Sequence, residues 1–172
     1  MKFGFLPCLV ALLFPAVAFA EDDPAVPVRE IIKAADHNAA GPAEYEDYFS
    51  KDRLSRLYSE GFSQQYRAAW KAQEADENNG YLLGSDPVLN AQDGCALKDL
   101  SIATEKSTGG RTPVTARFKA FYCLNPQDKD VETVVRFVVV RQGKRFVIDD
   151  IQHVEKGKLS NSLRQTLEEL SR

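Results

Sequence analysis

The stretch Ser85-Asp86-Pro87-Val88-Leu89-Asn90-Ala91-Gln92-Asp93-Gly94-Cys95 divides the chain into two kinds of sequence. On its N-terminal side, apolar residues recur at intervals of three and four. On its C-terminal side they recur at intervals of two. The first is the period of a helix buried on one face, and the second that of a strand. Helices first and strands second predict an α+β fold.

Working backward, Val28, Ile31, Ile32 and Ala35 predict a helix over 28–39, stopped by Gly41-Pro42. A short second helix is expected over 43–48. Ser50 reads as the cap of a long helix reaching about residue 78. Its stripe runs through Leu54, Leu57, Tyr58, Phe62, Tyr66, Ala69 and Trp70. Gly61 offers a point of bending, and Asn78-Asn79-Gly80 ends the stretch.

Working forward, four strands are expected over 96–105, 113–123, 131–141 and 144–153. The second alternates cleanly through Val114, Ala116, Phe118, Ala120 and Tyr122. Short glycine- and proline-bearing turns join the strands as consecutive antiparallel hairpins. Ser162 followed by Gln165 is a capping-box pattern that opens a last helix through Leu163, Leu167 and Leu170. The predicted architecture packs N-terminal helices on a curved four-stranded antiparallel sheet, with a C-terminal helix.

The first twenty residues, MKFGFLPCLVALLFPAVAFA, have the pattern of a secretory signal peptide. Lys2 gives a positive start, the middle is apolar, and Ala18-Phe19-Ala20 is a small-x-small cleavage signal. The apolar run is short for a membrane span and is broken by Pro7 and Pro15. Cleavage after Ala20 and a periplasmic location are expected. Residues 21–27 read as a flexible polar leader, and 28–172 as a single domain. The formal charge is −3, and loss of Lys2 makes it one unit more negative. No basic run occurs, which argues against nucleic acid as a partner. No later segment is apolar enough to span a membrane.

Without Cys8, the exported chain keeps Cys95 and Cys123, an even pair that reads as one disulfide. If the first hairpin turns around Gly109-Gly110, the two fall opposite each other within one residue, at a separation that suits a bridge. A turn at Gln142-Gly143 in the next hairpin sets Val139 opposite Phe146 and Phe137 opposite Ile148. On the other face it sets Val138 opposite Val147, Val134 opposite Ile151, Arg136 opposite Asp149, and Glu132 opposite His153. Arg136 and Asp149 then form a cross-strand ion pair. Asp150 falls beside Val135 and Ile148 on the core face, as a backbone cap or a site carboxylate.

Tyr48-Phe49-Ser50 before a long helix, the Asp86-Pro87 to Gln92-Asp93 block, Phe146-Val147-Ile148-Asp149-Asp150-Ile151 and Ser162-Leu163-Arg164 resemble motifs of a bacterial family. That family is called domain of unknown function 3828, and the resemblance spans roughly 28–170. This chain differs in having Gly84-Ser85 before the aspartate-proline. The resemblance implies an exported protein with a cone-shaped fold like nuclear transport factor two, and it supplies no activity.

Asp86, Asn90, Gln92, Asp93 and Asp150 are the candidate ligand-binding residues. The loop that holds the first four also reads as a joint, because Asp86-Pro87 and Asp93-Gly94 form turns and the amides satisfy loose backbone groups. The joint is favoured over ligand contact, and ligand contact over metal. The oxygens of Asp86, Asn90 and Asp93 do not follow the calcium-loop spacing. His37 and His153 lack neighbours at zinc spacing. Neither a nucleophile elbow nor a phosphate loop is present, and no cofactor is expected.

The favoured reading is therefore a non-enzymatic exported binding or accessory domain. Its ligand would be small and apolar, held in a cone lined by Phe118, Tyr122, Phe137 and Phe146. The alternatives are an interaction protein that neutralises a toxin or serves an envelope partner, and a small hydrolase or isomerase using Asp150.

Overall fold

A computed structural model describes residues 23–41, 44–74 and 82–172. The expected signal peptide and the end of the long helix, with Asn78-Asn79-Gly80, lie outside these residues. The elements are α1 (Ala25–Ala39), α2 (Lys51–Arg56), α3 (Glu60–Glu74), β1 (Lys98–Thr104), β2 (Arg111–Lys119), β3 (Thr133–Gln142), β4 (Arg145–Glu155), β5 (Lys158–Ser162) and α4 (Leu163–Leu170). The strands form one antiparallel sheet in the order β1-β2-β3-β4-β5. The α+β plan holds, but the sheet has five strands where four were expected.

α1 starts at Ala25, inside the stretch read as leader. Ala25, Pro27 and Val28 are buried, so its first turn belongs to the core. The side chain of Asp23 accepts from the Ala25 amide at 2.9 Å and serves this helix start. The core layer joins Val28, Ile31, Ile32 and Ala35 of α1 to Val114, Ala116 and Phe118 of β2, Val135, Phe137 and Val139 of β3, and Ile148 and Ile151 of β4. Phe62 and Leu167 close it from α3 and α4.

Two expected helices differ. Residues 44–48 are not helical. Asn38 holds this segment against α1, donating to the Glu46 carbonyl at 3.0 Å and accepting from its amide at 2.8 Å. The long helix is broken at Leu57–Ser59, not at Gly61. There the Ile148 amide donates to the Leu57 carbonyl at 2.7 Å, and the Ser59 amide donates to the Ile148 carbonyl at 2.8 Å. Sheet partners thus replace helical ones, and every backbone group must find one or the other. Ser59 restarts the helix by accepting from the Phe62 amide at 3.0 Å.

The first hairpin follows the cysteine argument. Ile102 pairs with Ala116 and Thr104 with Val114, and Cys95 is bonded to Cys123 with Cα atoms 6.2 Å apart. Closing a loop of sequence separation 28 contributes roughly 3.5 kcal/mol in the chain-entropy account.

The second hairpin does not follow the expected register. The turn is Gly143-Lys144, so Gln142 faces Arg145, Val140 faces Val147 and Val139 faces Ile148. A bulge then inserts Asp149, after which Val138 faces Asp150, Phe137 faces Ile151, Arg136 faces Gln152 and Val135 faces His153. The extra residue shifts the alternation and lets Ile148 and Ile151, three apart, share the core. The expected Arg136–Asp149 pair does not form. Arg136 instead meets Glu105 at 2.6 Å.

Asp149 and Asp150 are both buried, at the bulge where β4 runs between two different edge partners. Below it lies the 57–59 segment, and above it β5, which pairs with Gln152–Glu155. α4 covers the gap. Asp150 accepts from the Arg164 amide at 2.9 Å, from Ser162 Oγ at 2.8 Å and from Gln152 Nε2 at 2.9 Å. Asp150 is therefore a backbone cap, and its strand partner is Val138 instead of Val135.

Candidate functional site

The walls of the main cleft come from four segments: the end of α1, residues 45–49, the second half of α3, and residues 82–94. Its volume is about 990 Å³. Each wall is anchored in the core before it presents anything to solvent.

The 82–94 wall contains the quoted loop. The Asp86 carboxylate accepts through Oδ1 from the Val88 and Leu89 amides, at 2.7 and 2.8 Å. The Asp86 amide donates to the Ala91 carbonyl at 2.9 Å, and the Asn90 amide returns to the Asp86 carbonyl at 2.9 Å. This is a self-closed turn, with Asn90 in the left-handed region at φ 57. Val88 and Leu89 drop from it into the core. At Gly94 a Cβ would sit 2.7 Å from Leu89 Cδ1, so a side chain there would push Leu89 out of place. Cys95 then locks the end of the loop, through the disulfide and by donating its amide to the Ala120 carbonyl at 2.7 Å.

The second wall is aromatic. Tyr48 is buried, and its hydroxyl donates to Asp86 Oδ2 at 2.6 Å, joining the 45–49 segment to the loop. Tyr45 meets Tyr48 edge to face at 5.9 Å, and Phe49 packs on Tyr66 of α3 at 4.6 Å. Trp70, one turn further along α3, lines the same hollow and is 42% exposed.

Burial pushes the Tyr45 and Tyr66 phenols up to about 12, helped at Tyr45 by Asp86 and Asp47 and at Tyr66 by Asp47. Tyr48 is driven well above the ordinary tyrosine value by burial, then by the neighbouring Asp86 charge. All three hydroxyls therefore keep their protons at physiological pH and act as neutral donors. Behind the loop, His153 is buried, and neither ring nitrogen has a hydrogen-bond partner among the described residues. Desolvation lowers its pKa. The nearby backbone of Pro87 and Val88 opposes that shift without cancelling it.

Of the residues singled out from sequence, Asp86, Gln92 and Asp93 line the cleft. Asp86 is mainly a turn-former whose second oxygen holds Tyr48. Gln92 reaches the Gly84 carbonyl at 3.4 Å, and Asp93 is exposed at the rim. Asn90 is exposed and does not line the cleft, and Asp150 belongs to the α4 junction. The joint and the site are thus one structure: the loop closes on itself, and its outer surface is a wall.

The residues expected to line a cone lie away from the cleft. Phe118 and Phe137 are fully buried core residues. Tyr122 donates to the Ala96 carbonyl at 3.0 Å beneath Lys98, and Phe146 lies under Arg141. None of the four lines the cleft. The sequence reading missed Tyr45, Tyr48, Tyr66, Trp70 and Asp47 as site residues. The clustering of Tyr45, Asp47, Tyr48 and Phe49 was the available signal.

A second hollow of about 580 Å³ follows α4, where Arg164 and Arg172 mix with Glu168 and Glu169. Among the described residues, no group of three or more His, Cys, Asp or Glu side chains is placed to hold a metal. No helix among them is long and apolar enough to cross a membrane. No family model, no curated protein and no solved structure matches the chain.

Proposed function

We propose that this chain is an exported, non-enzymatic binding or accessory domain whose ligand occupies the aromatic cleft. The single observation that carries the reading is a preformed hollow of about 990 Å³ with Tyr45, Phe49, Tyr66 and Trp70 on its walls. Small-molecule sites have this character: concave, mostly apolar, and furnished with a few fixed polar groups. Tyr48 and Asp86 supply the fixed polar pair. The leader pattern and the Cys95–Cys123 bond support export to the periplasm. The kinship with domain of unknown function 3828, and a cone like that of nuclear transport factor two, belong to the same proposal. Helices on one face of a continuous antiparallel sheet support the cone reading.

Catalysis has less support. The carboxylate favoured for it, Asp150, accepts three hydrogen bonds and is not among the cleft residues.

Trp70 is the sole tryptophan of the sequence and reports directly on the cleft. A library of aromatic and aliphatic fragments should yield binders that shift or quench its emission. Tyr45 is 64% exposed, so Tyr45→Ala should weaken them roughly three- to tenfold, the worth of one aromatic contact, without lowering the melting temperature. Binders that leave Trp70 emission unchanged and ignore Tyr45→Ala would place the site elsewhere.

A further inference from the structure

Among the described residues, the charged side chains of the cleft are all of one sign: Asp47, Asp86 and Asp93 line it, and no lysine, arginine or histidine does. The nearby Arg53 turns its guanidinium to the Glu46 carboxylate and the Asp47 carbonyl and is not part of the lining. Between the carboxylates stand aromatic rings whose faces carry negative electrostatic potential. The field is felt inside the hollow, since Asp47 and Asp86 both help to hold the Tyr45 phenol in its protonated form.

The donors around the Asp86 turn are already used within the fold. The Val88, Leu89 and Asn90 amides and the Asp86 amide are spent within the turn. The Phe49 amide is taken by Asp47 Oδ1 at 2.8 Å, and the Tyr48 hydroxyl by Asp86. An anionic ligand would meet three carboxylates, with no cationic side chain among the described lining residues to offset them. A neutral apolar ligand would fill the walls but make no use of the carboxylates.

Resting on the reading of the cleft as a binding site, we infer that its ligand is an organic ammonium ion, a cation carrying apolar substituents. Aromatic faces attract such ions because the charge is spread over weakly hydrated carbon groups, which cost little to desolvate. The rim carboxylate Asp93 and the loop carboxylate Asp86 supply long-range attraction, and Tyr45, Tyr66 and Trp70 supply the contact surface. The net charge of −3 favours approach of a cation to the whole molecule.

The test pairs isosteres. Choline and its neutral carbon analogue 3,3-dimethylbutan-1-ol have nearly the same shape and differ in charge. Each is titrated into the purified protein, with Trp70 emission and calorimetry as readouts and benzoate as the anion. Choline is expected to bind roughly tenfold or more tightly than its isostere, to weaken with added salt, and to outcompete benzoate completely. Asp93→Asn should reduce choline affinity about threefold and leave the isostere unaffected. Because Asp93 is exposed, that variant should fold normally. A second variant, Asp47→Asn, should act in the same direction.

Equal affinity for choline and the isostere would overturn the charge assignment while leaving the cleft as a binding site. Tighter binding of benzoate would do the same. If no ammonium ion binds while neutral fragments do, the assignment also falls. If nothing shifts Trp70, the cleft itself is not a site.

Discussion

Removing the bulge carboxylate by Asp149→Ala is the sharpest probe of how the helical layer is fastened to the sheet. Asp149 Oδ1 accepts from Ser59 Oγ at 2.7 Å and from Arg164 Nη1 at 2.5 Å, and Oδ2 lies 3.3 Å from Arg111 Nη2. The carboxylate thereby joins the start of α3, the start of α4 and strand β2. The three contacts are unequal. Arg111 is 60% exposed and rehydrates easily, so that pair is worth about 0–1 kcal/mol. Arg164 is about one-third exposed, which reduces a charge-assisted bond to about 1 kcal/mol. Ser59 is buried, and losing the acceptor of its hydroxyl costs about 1–2 kcal/mol. The total is about 3 kcal/mol, which for a domain of this size lowers Tm by roughly 6–12 °C. Thermal melts followed by circular dichroism, with urea titrations beside them, measure it. Asp149→Asn keeps an acceptor for Ser59 and should fall about halfway. A loss below about 1 kcal/mol, the value of an exposed pair, would refute the reasoning. A double-mutant cycle between Arg136 and Asp149 should be additive within about 0.5 kcal/mol, because the two side chains do not meet.

Tyr58 is fully buried between Phe49 and Phe62, and its hydroxyl has no partner among the described residues. Tyr58→Phe should leave stability unchanged or raise it by about 1 kcal/mol in urea unfolding, and a loss greater than that would mean the hydroxyl is bonded. His153 has a folded pKa held below the ordinary histidine value by burial, so the unfolded chain takes up the proton first. Its stabilising contribution is complete above about pH 6.5 and is lost as pH falls below that, by up to about 1.4 kcal/mol per unit. Urea unfolding at pH 7.5 and 5.5 should therefore show a larger acid loss in the wild type than in His153→Gln, and equal losses would show that the ring does not titrate unfavourably.

Features written in local patterns were legible in the sequence. The clean alternation of Val114, Ala116 and Phe118 marks a strand buried on one face, and all three are core residues. Ser50 and Ser162 cap helices as their spacing implies, accepting from Arg53 and Gln165. β5 was hidden because Lys158–Ser162 carries one apolar residue, Leu159, and that one is exposed. Its signal is only the Lys156-Gly157 turn, with both residues at positive φ. The β3–β4 register failed because Gln142-Gly143 and Gly143-Lys144 are equally plausible turns from composition, and the bulge at Asp149 then changed the alternation. The break at Leu57–Ser59 depends on backbone hydrogen bonds with Ile148, far away in sequence, which no local pattern reports. The site was half legible for the same reason. Its loop wall is contiguous and rich in turn-formers, whereas the aromatic wall draws Tyr45 from the segment before α2 and Tyr66 and Trp70 from α3.

The anchoring of these walls separates residues that build the cleft from residues that would recognise a ligand. Tyr48, Val88 and Leu89 are buried, and Gly94 is packed against Leu89. Changes at these positions would alter stability and binding together. Tyr45 and Asp93 are exposed at the rim and could be replaced with little effect on the fold. Because the loop bonds to itself and is tied by Cys95 to Ala120 and Cys123, just after β2, its conformation does not depend on a ligand. The entropy cost of ordering it has already been met in folding, so the binding energy of the rim contacts is not spent on closing a loop. Backbone amides already bonded within the turn cannot select a ligand. Selection among charged ligands then falls to the side chains of the walls, and the charged ones among the described lining residues are all aspartates.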